Sequence, residues 1–274
     1  MTLNYYSLPD RGLLYLHGED TRSLLQGIIT SDIHKLTADH PLYAALLTPQ
    51  GKFLFDFFLI QWKDGILLDH LAAQRADLLK KLTMYRLRSK VQFENLSDNL
   101  QVIALWGDVG GVNAPYDPRL QQMGKRLVLP KAELADFQKQ YPDGRLAGEA
   151  EYARHRIALT VPETLKDLIP DKSFPLQSNL EEMQAIDYQK GCYVGQEVTA
   201  RTKHRGTLRK RIYTVRIEGP APEAGTAVMR DNHSVGEMLS HAGNLGLAQL
   251  DIETAESKVP LQCGGAILYP SLRA

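Results

Sequence analysis

Beyond Gly206 the sequence changes character, and this change restricts what the chain can fold into more than any other feature. Five short apolar runs, 211–217, 227–229, 235–240, 247–251 and 266–269, are separated by Gly, Pro and the pair Asp231–Asn232. Runs of that length are too short for amphipathic helices, and turn signals at such spacing predict antiparallel strands in a small barrel or sandwich. A β-rich domain is therefore expected over 205–274. At roughly 100–200 residues per domain, a chain of 274 residues has room for at least one more folding unit upstream.

The upstream pattern is mixed. Residues 12–17 read as a strand, followed by Asp20 as an N-cap and Leu24, Leu25, Ile28 and Ile29 along one helical face. Runs 42–47 and 53–60 flank the turn-forming Thr48–Pro49–Gln50–Gly51–Lys52, which predicts a hairpin. A strand at 66–68, a helix at 71–86, and strands at 102–105 and 126–129 follow, the last two separated by a loop at 110–118. Helices are expected at 132–141 and 152–159. Pro162, Pro170 and Pro175 exclude a continuous helix over 161–175 and predict a long ordered excursion. Asn179 with Glu182 resembles a capping box, so a helix is expected through Met183 and Ile186, stopping before Gly191. This gives α+β parts over 1–105 and 106–204.

Thirty-two Lys and Arg balance thirty-two Asp and Glu, which excludes the global positive field of a protein that coats nucleic acid. Two cysteines, Cys192 and Cys263, are too few for a disulfide framework and point to a reducing compartment. With no apolar run of spanning length and no basic, then apolar, start, the expectation is a cytoplasmic protein with no membrane partner. Neither HExxH nor CxxC occurs, and the phosphate-loop, dinucleotide-fold and Gly-x-Ser-x-Gly patterns are missing, so no resident metal is expected.

One segment concentrates chemistry: Lys190–Gly191–Cys192–Tyr193–Val194–Gly195–Gln196–Glu197, continuing into Val198-Thr199-Ala200-Arg201-Thr202-Lys203-His204-Arg205-Gly206. Gly191 would turn the chain after a helix and Gly195 would allow a close backbone approach, presenting the thiol on a tight loop. Lys190, Arg201, Lys203 and Arg205, if gathered around Cys192, would favour its thiolate. Equally, Cys192 could be a small buried hydrophobe, and the alternation of Arg201, Lys203 and Arg205 could be the wet face of a strand. Arg209, Lys210 and Arg211 extend the cluster to six cations in eleven residues, enough for a phosphate, an RNA segment or a polycarboxylate.

The run KGCYVGQEVTARTKHRG resembles the signature of the YgfZ family of folate-binding proteins, relatives of the aminomethyltransferase (T-protein) of the glycine cleavage system. GLLYLHGEDTRSLLQGIITSDI, LLTPQGKFLFDFFLI and VPETLKDLIPDKSFPLQSNLEEMQAIDYQKG are similar to the family's opening strand and helix, its hairpin and its approach to the signature. The resemblance implies a three-lobed α+β chain, two interlaced lobes and a C-terminal β-barrel around a central folate cleft, with tetrahydrofolate as cofactor. It also implies a role in assembly or repair of iron–sulfur clusters, with client enzymes or assembly proteins as partners, tRNA-modifying enzymes among them.

By the same resemblance Cys192 is functionally central. Asp56 keeps the last acid of the relatives' Gly-Gly-x-x-Asp-Asp, where a carboxylate assists chemistry at the folate N5. Set among phenylalanines, Asp56 is either on the strand's open face or paired; sharing a face with Leu54, Phe58 and Ile60 favours pairing, with a pterin N–H or within a structural ion pair. Cys192 and Asp56 are thus the candidate catalytic residues. Asp56, Asp69, His70, Arg156, Lys190, Gly191, Tyr193, Gly195, Gln196, Glu197 and Arg201 are the candidate cofactor-binding residues, Arg156 for the glutamate tail. Asp69 and His70 could equally cap the next helix. The relatives' Tyr-Thr-Gly-Glu-Asp-Gly, whose glutamate grips the pterin, is replaced by Gln121-Gln122-Met123-Gly124-Lys125-Arg126. Alternative functions are a folate-dependent aminomethyl or methyl transferase, with Asp56 orienting the substrate amine, and an RNA-binding accessory protein with tRNA as partner.

Overall fold

The computed structural model describes residues 2–206 and 208–271. Position 207 and the last three positions of the barrel domain expected over 205–274 thus lie outside the described residues, as does position 1. The chain divides into two compact units that exchange segments: the first holds the chain up to Gln50, Leu54–Ala147 and Glu182–Gln196, the second Gly51–Phe53, Gly148–Glu181 and the chain from Glu197 onward.

The first unit is built on two sheets. Its elements are β1 (Leu3–Ser7), β2 (Arg11–His17), α1 (Thr21–Ile28), β3 (Leu42–Leu47), β4 (Phe53–Trp62), β5 (Gly65–Leu71), α2 (Arg75–Arg86), β6 (Gln92–Asn95), β7 (Leu100–Gly107), β8 (Lys125–Pro130), α3 (Leu134–Gln140) and β9 (Arg145–Leu146). One sheet has the order β3-β4-β5-β2-β6, the other β8-β7-β1-β9. All seven residues of β5 are buried, Asp69 and His70 included, as in a strand covered on both faces. The helical stripe of α1 behaves as its spacing predicts: Leu24, Leu25 and Ile28 face a core shared with Leu78 and Leu82 of α2 and Leu14, Leu46 and Phe57 of the sheet.

The second unit contains α4 (Glu149–Ala158), most of α5 (Gln196–Arg205) and a closed barrel of β10 (Lys210–Glu218), β11 (Ala227–Arg230), β12 (His233–Ala242), β13 (Leu245–Asp251), β14 (Leu261–Cys263) and β15 (Ala266–Ser271), in the order β10-β13-β12-β11-β14-β15, with α6 (Ile252–Glu256) inserted. Closure pairs every strand and leaves no open edge. Val215, Val228, Met238, Leu250, Leu261 and Leu268 fill the interior with Cys263, whose thiol burial pushes up and which points at the Thr226 carbonyl oxygen (3.7 Å). The chain is α+β with a C-terminal barrel, as expected.

Two local expectations fail for identifiable reasons. No helix follows Asn179: residues 175–184 form successive turns, and Asn179 and Gln184 take left-handed torsions (φ 59° and 58°) that a right-handed helix excludes. The Asn179 amide instead donates to the Ile212 carbonyl of β10 (2.8 Å). Conversely, Arg201, Lys203 and Arg205 lie on a helix rather than a strand, with Thr199 its buried residue and Arg201 paired to Glu197 one turn earlier.

Candidate functional site

Cys192 is exposed, on a segment tied down on both sides. Upstream, the Thr30 hydroxyl donates to the Ala185 carbonyl (2.5 Å), the Asp187 N–H donates to the Thr30 carbonyl (3.0 Å), and the Asp187 carboxylate meets Lys35 (2.5 Å). Lys190 is 6% exposed, and its Nζ donates to the carbonyls of Gln26 (2.8 Å), Ile29 (2.6 Å) and Ser31 (2.9 Å). These oxygens belong to the C-terminal end of α1 and the turn after it, where unpaired carbonyls favour a cation. The ammonium also sits 5.1 Å from the centre of the Tyr193 ring, which is itself buried, and Val194 packs against the core of the first unit. The thiol is thus held out to solvent between two anchored neighbours.

Lys190 is therefore a staple and not the thiolate-stabilising cation expected from sequence; its donors are used up on carbonyl oxygens. Arg201 and Lys203 are likewise bound to Glu197 and Glu181. Gly191 follows no helix, and a Cβ there would meet open space. Gly195 does need to be glycine, with φ 83° at the entry to α5, which Gln196 and Glu197 open. Burial pulls the Lys190 ammonium down to about 8 from its ordinary 10.5. Between those values the unfolded chain holds more protons than the folded one, so this group alone makes stability rise with pH across that window. Lys190→Met is expected to cost about 2–3 kcal/mol at pH 7, by leaving carbonyls without donors, and to remove that slope, as thermal unfolding from neutral to alkaline pH would show.

A second cluster lies in the same unit. Asp56 is buried and accepts the Tyr43 hydroxyl (2.9 Å). Burial and the Asp56 charge raise the Tyr43 phenol well above its ordinary value. Asp69, fully buried, accepts from Arg11 Nε (2.6 Å) and from Arg126 through Nε (2.6 Å) and its terminal nitrogen (2.5 Å). Burial opposes its ionisation, but the two guanidinia outweigh it and hold the carboxyl below the ordinary range. Asp117 and Arg119 form a bidentate buried pair (2.9 and 2.7 Å) that lowers Asp117 against the same burial cost. Three guanidinia surround the Phe58 ring: Arg126 at 3.9 Å, Arg119 at 4.9 Å and Arg11 at 5.5 Å from its centre.

Beside this cluster opens a cleft of about 610 Å³ lined by Lys35, Asp39, His40, Tyr43, Tyr116, Asp117, Gln121 and Gln184. Asp56 does not line it; Tyr43 links the two. Asp69 and His70 do not line it either, and neither caps a helix. Asp69 joins β2, β5 and β8, while His70 is buried with Nδ1 3.0 Å from the Leu71 carbonyl. Arg156 belongs to the second unit, where its guanidinium bonds Asp167 (3.1 Å), Glu163 (2.7 Å) and the Val161 carbonyl (2.9 Å). With its side chain 3% exposed, it is an internal ion-pair hub, which corrects the assignment to a ligand's tail. Sequence reasoning missed Tyr43, Arg119 and Arg126; the one local signal was the spacing of Asp117 and Arg119, two positions apart.

The barrel region, residues 209–274, matches the family model for the CAF17 C-terminal beta-barrel domain. The human iron-sulfur cluster assembly factor IBA57, mitochondrial, is 34% identical over 277 residues, covering 89% of this chain and 76% of the human protein. The chain belongs to the IBA57 family. IBA57 homologues of Mycosarcoma maydis and Neurospora crassa are each 34% identical, with 89% and 79% of this chain aligned, and the matches span 63% and 54% of those longer proteins. A crystal structure of the glycine cleavage system aminomethyltransferase T from Bartonella henselae superposes with a TM-score of 0.80 over 99% of this chain and 86% of its own, at 14% identity, so IBA57-family membership goes with the aminomethyltransferase fold. The IBA57 relatives also overturn the cytoplasmic expectation, since each of them is described as mitochondrial. A low cysteine count separates reducing from oxidising compartments and cannot tell one reducing compartment from another. Among the described residues no helix is long and apolar enough to cross a membrane.

Proposed function

We propose that this chain is a YgfZ-type protein that binds tetrahydrofolate and supports assembly or repair of iron–sulfur clusters in client enzymes, tRNA-modifying ones included. The observation that carries the reading is the exposed, stapled Cys192 in a chain whose relatives are iron-sulfur cluster assembly factors. Cys263 is sealed in the barrel core, which leaves one accessible thiol. All-cysteine ligation of a cluster needs four, so Cys192 contributes one sulfur to a cluster in transit and a partner contributes the rest. The staple keeps that sulfur at a fixed place on the surface, which lowers the ordering cost of forming the shared complex.

The cleft supports the folate part. Its volume falls within the range of small-molecule sites, and its lining combines the exposed Tyr116 ring for a planar heterocycle, amides and carboxylates for hydrogen bonds, and His40 and the Asp187-paired Lys35 for a carboxylate tail. Bound there, tetrahydrofolate would supply a reduced pterin able to carry one-carbon units. Tyr43 would form the floor behind the pterin while Asp56 fixes its hydroxyl, so the acid positions the tyrosine without touching the ligand. Calorimetric titration with tetrahydrofolate is expected to show binding that Tyr116→Ala weakens at least about tenfold, the worth of a lost aromatic contact. No binding, or an unchanged affinity in Tyr116→Ala, removes folate from the proposal. Turnover of tetrahydrofolate with a one-carbon donor would favour the transferase.

A further inference from the structure

The chain carries an exposed apolar knob where folding physics argues against one. Helix α2 ends at Arg86, and the Ser89 N–H donates to the Arg86 carbonyl (2.8 Å), closing a tight turn over residues 86–89. Leu87, the first central residue, has φ 47° and ψ −110°, the torsions of a type II′ turn position at which glycine is the usual residue. A side chain there is strained. Nor does burial compensate: Leu87 is 85% exposed, the most exposed large apolar side chain among the described residues, and Met84 one turn earlier is 53% exposed. A glycine would relieve the torsion and hide the apolar surface, so the leucine serves something other than the fold.

The surroundings define what it serves. Residues 75–90 hold six cations, Arg75, Lys80, Lys81, Arg86, Arg88 and Lys90, against one acid, Asp77, in a chain that is neutral as a whole. Some are used internally: Arg86 covers the Phe93 ring and donates to the Val91 carbonyl, Lys81 covers Tyr85, and Lys90 meets Glu19. Lys80 and Arg88 stand exposed on either side of the Met84–Leu87 pair. An apolar peg with a positive rim is complementary to an apolar socket with a negative rim.

We propose that Leu87 and Met84 dock into a protein partner whose binding surface is an apolar socket flanked by Asp and Glu. A membrane surface fits less well, because bilayer insertion rewards a broad apolar face and needs no fixed torsion, whereas one side chain presented by a strained, hydrogen-bonded turn matches a socket of defined shape. RNA fits less well because the peg is aliphatic and offers no ring on which a base could stack. The surface lies on α2 and the turn after it, apart in sequence from the Cys192 loop, and the proposal does not depend on folate binding.

The first test needs no partner. Leu87→Gly is expected to leave the melting temperature unchanged or raised; a fall of more than about 3 °C would show that the leucine serves the fold and overturn the proposal. The second places a photoreactive p-benzoylphenylalanine at position 87 of the full chain in cells. Expected is a crosslink to a protein whose linked peptide has acidic residues around apolar ones. That purified protein should bind the wild-type chain and lose at least about tenfold in affinity with Leu87→Gly and with Arg88→Glu, with binding weakened by salt. The proposal is overturned by crosslinking no stronger than from exposed Asp98, by a linked peptide without acids, by a linked RNA or lipid, or by an affinity that Leu87→Gly leaves unchanged. Leu87-dependent sedimentation with phosphatidylcholine–phosphatidylserine vesicles would assign the surface to a membrane and overturn it equally.

Discussion

Cys192→Ser is expected to abolish the chain's support of a cluster-dependent enzyme in cells lacking the native protein while leaving the fold intact. The serine side chain is nearly isosteric, the position is exposed, and the anchors on either side, Lys190, Tyr193 and Val194, do not involve the sulfur. A surface change of this kind stays within about 0.5 kcal/mol, or a shift of roughly 2 °C in melting temperature. On the proposed function the chemical loss is total, because a hydroxyl does not replace a thiolate toward iron and Cys263, closed in the barrel, cannot substitute. The activity of an iron–sulfur enzyme in complemented cells, beside a melting curve of the purified variant, checks both halves. Full complementation by Cys192→Ser would remove the thiol from the function.

The largest effect on stability is expected at Asp69. Replacing it by asparagine leaves Arg11 and Arg126 facing an amide in a site without water access, and breaking a buried charge set by removing one partner costs about 3–5 kcal/mol. That corresponds to a melting temperature lower by roughly 6–20 °C. Arg126→Met is expected to cost less, because Asp69 keeps Arg11 and the methionine refills the space beside Phe58. If Arg126→Met is the more damaging, the acid is not the centre of the cluster. The pH dependence has a definite sign. The folded-state value of Asp69 lies below the ordinary 3.8, so its contribution is full above that value and is lost as the pH falls through the folded value. Asp69→Asn should therefore flatten stability against pH on the acid side only.

The architecture was legible where local pattern and tertiary demand agree. Alternation and turn residues marked five of the six barrel strands, and the missed one, Leu261–Cys263, is three residues long and too short to show a period. Residues 3–7, also missed, pair across almost the whole unit with Ile103–Gly107, a register that local pattern does not encode. The helix expected after Asn179 failed because a capping motif describes what a side chain can do for a helix, whereas here the side chain serves a barrel strand. Cations at every second position of 201–205 imitated a strand face, while the helix buries Thr199 and pairs Arg201 with Glu197 one turn earlier.

The candidate site was legible in part. The KGCYVGQE run led to an exposed thiol and Asp56 to a buried, paired acid, in each case one of the alternatives that the sequence left open. The role of Lys190 was not readable, since its acceptors are backbone oxygens about 160 positions earlier, and carbonyls have no residue type. Arg126 was passed over for a related reason, its acid lying 57 positions earlier, whereas Arg119 has its acid two positions away but sits in a turn, where a charged pair reads as solvent-facing.

The three-member charge set at Asp69 also bears on how the chain is made. Asp69 and Arg11 leave the ribosome early, but Arg126 emerges 57 residues after Asp69. At synthesis rates of about 5–20 residues per second the nascent acid waits some 3–11 s for its second guanidinium. Throughout that interval Asp69 has Arg11 at one carboxylate oxygen and no guanidinium at the other, so this buried charge set is completed only once translation has passed β8.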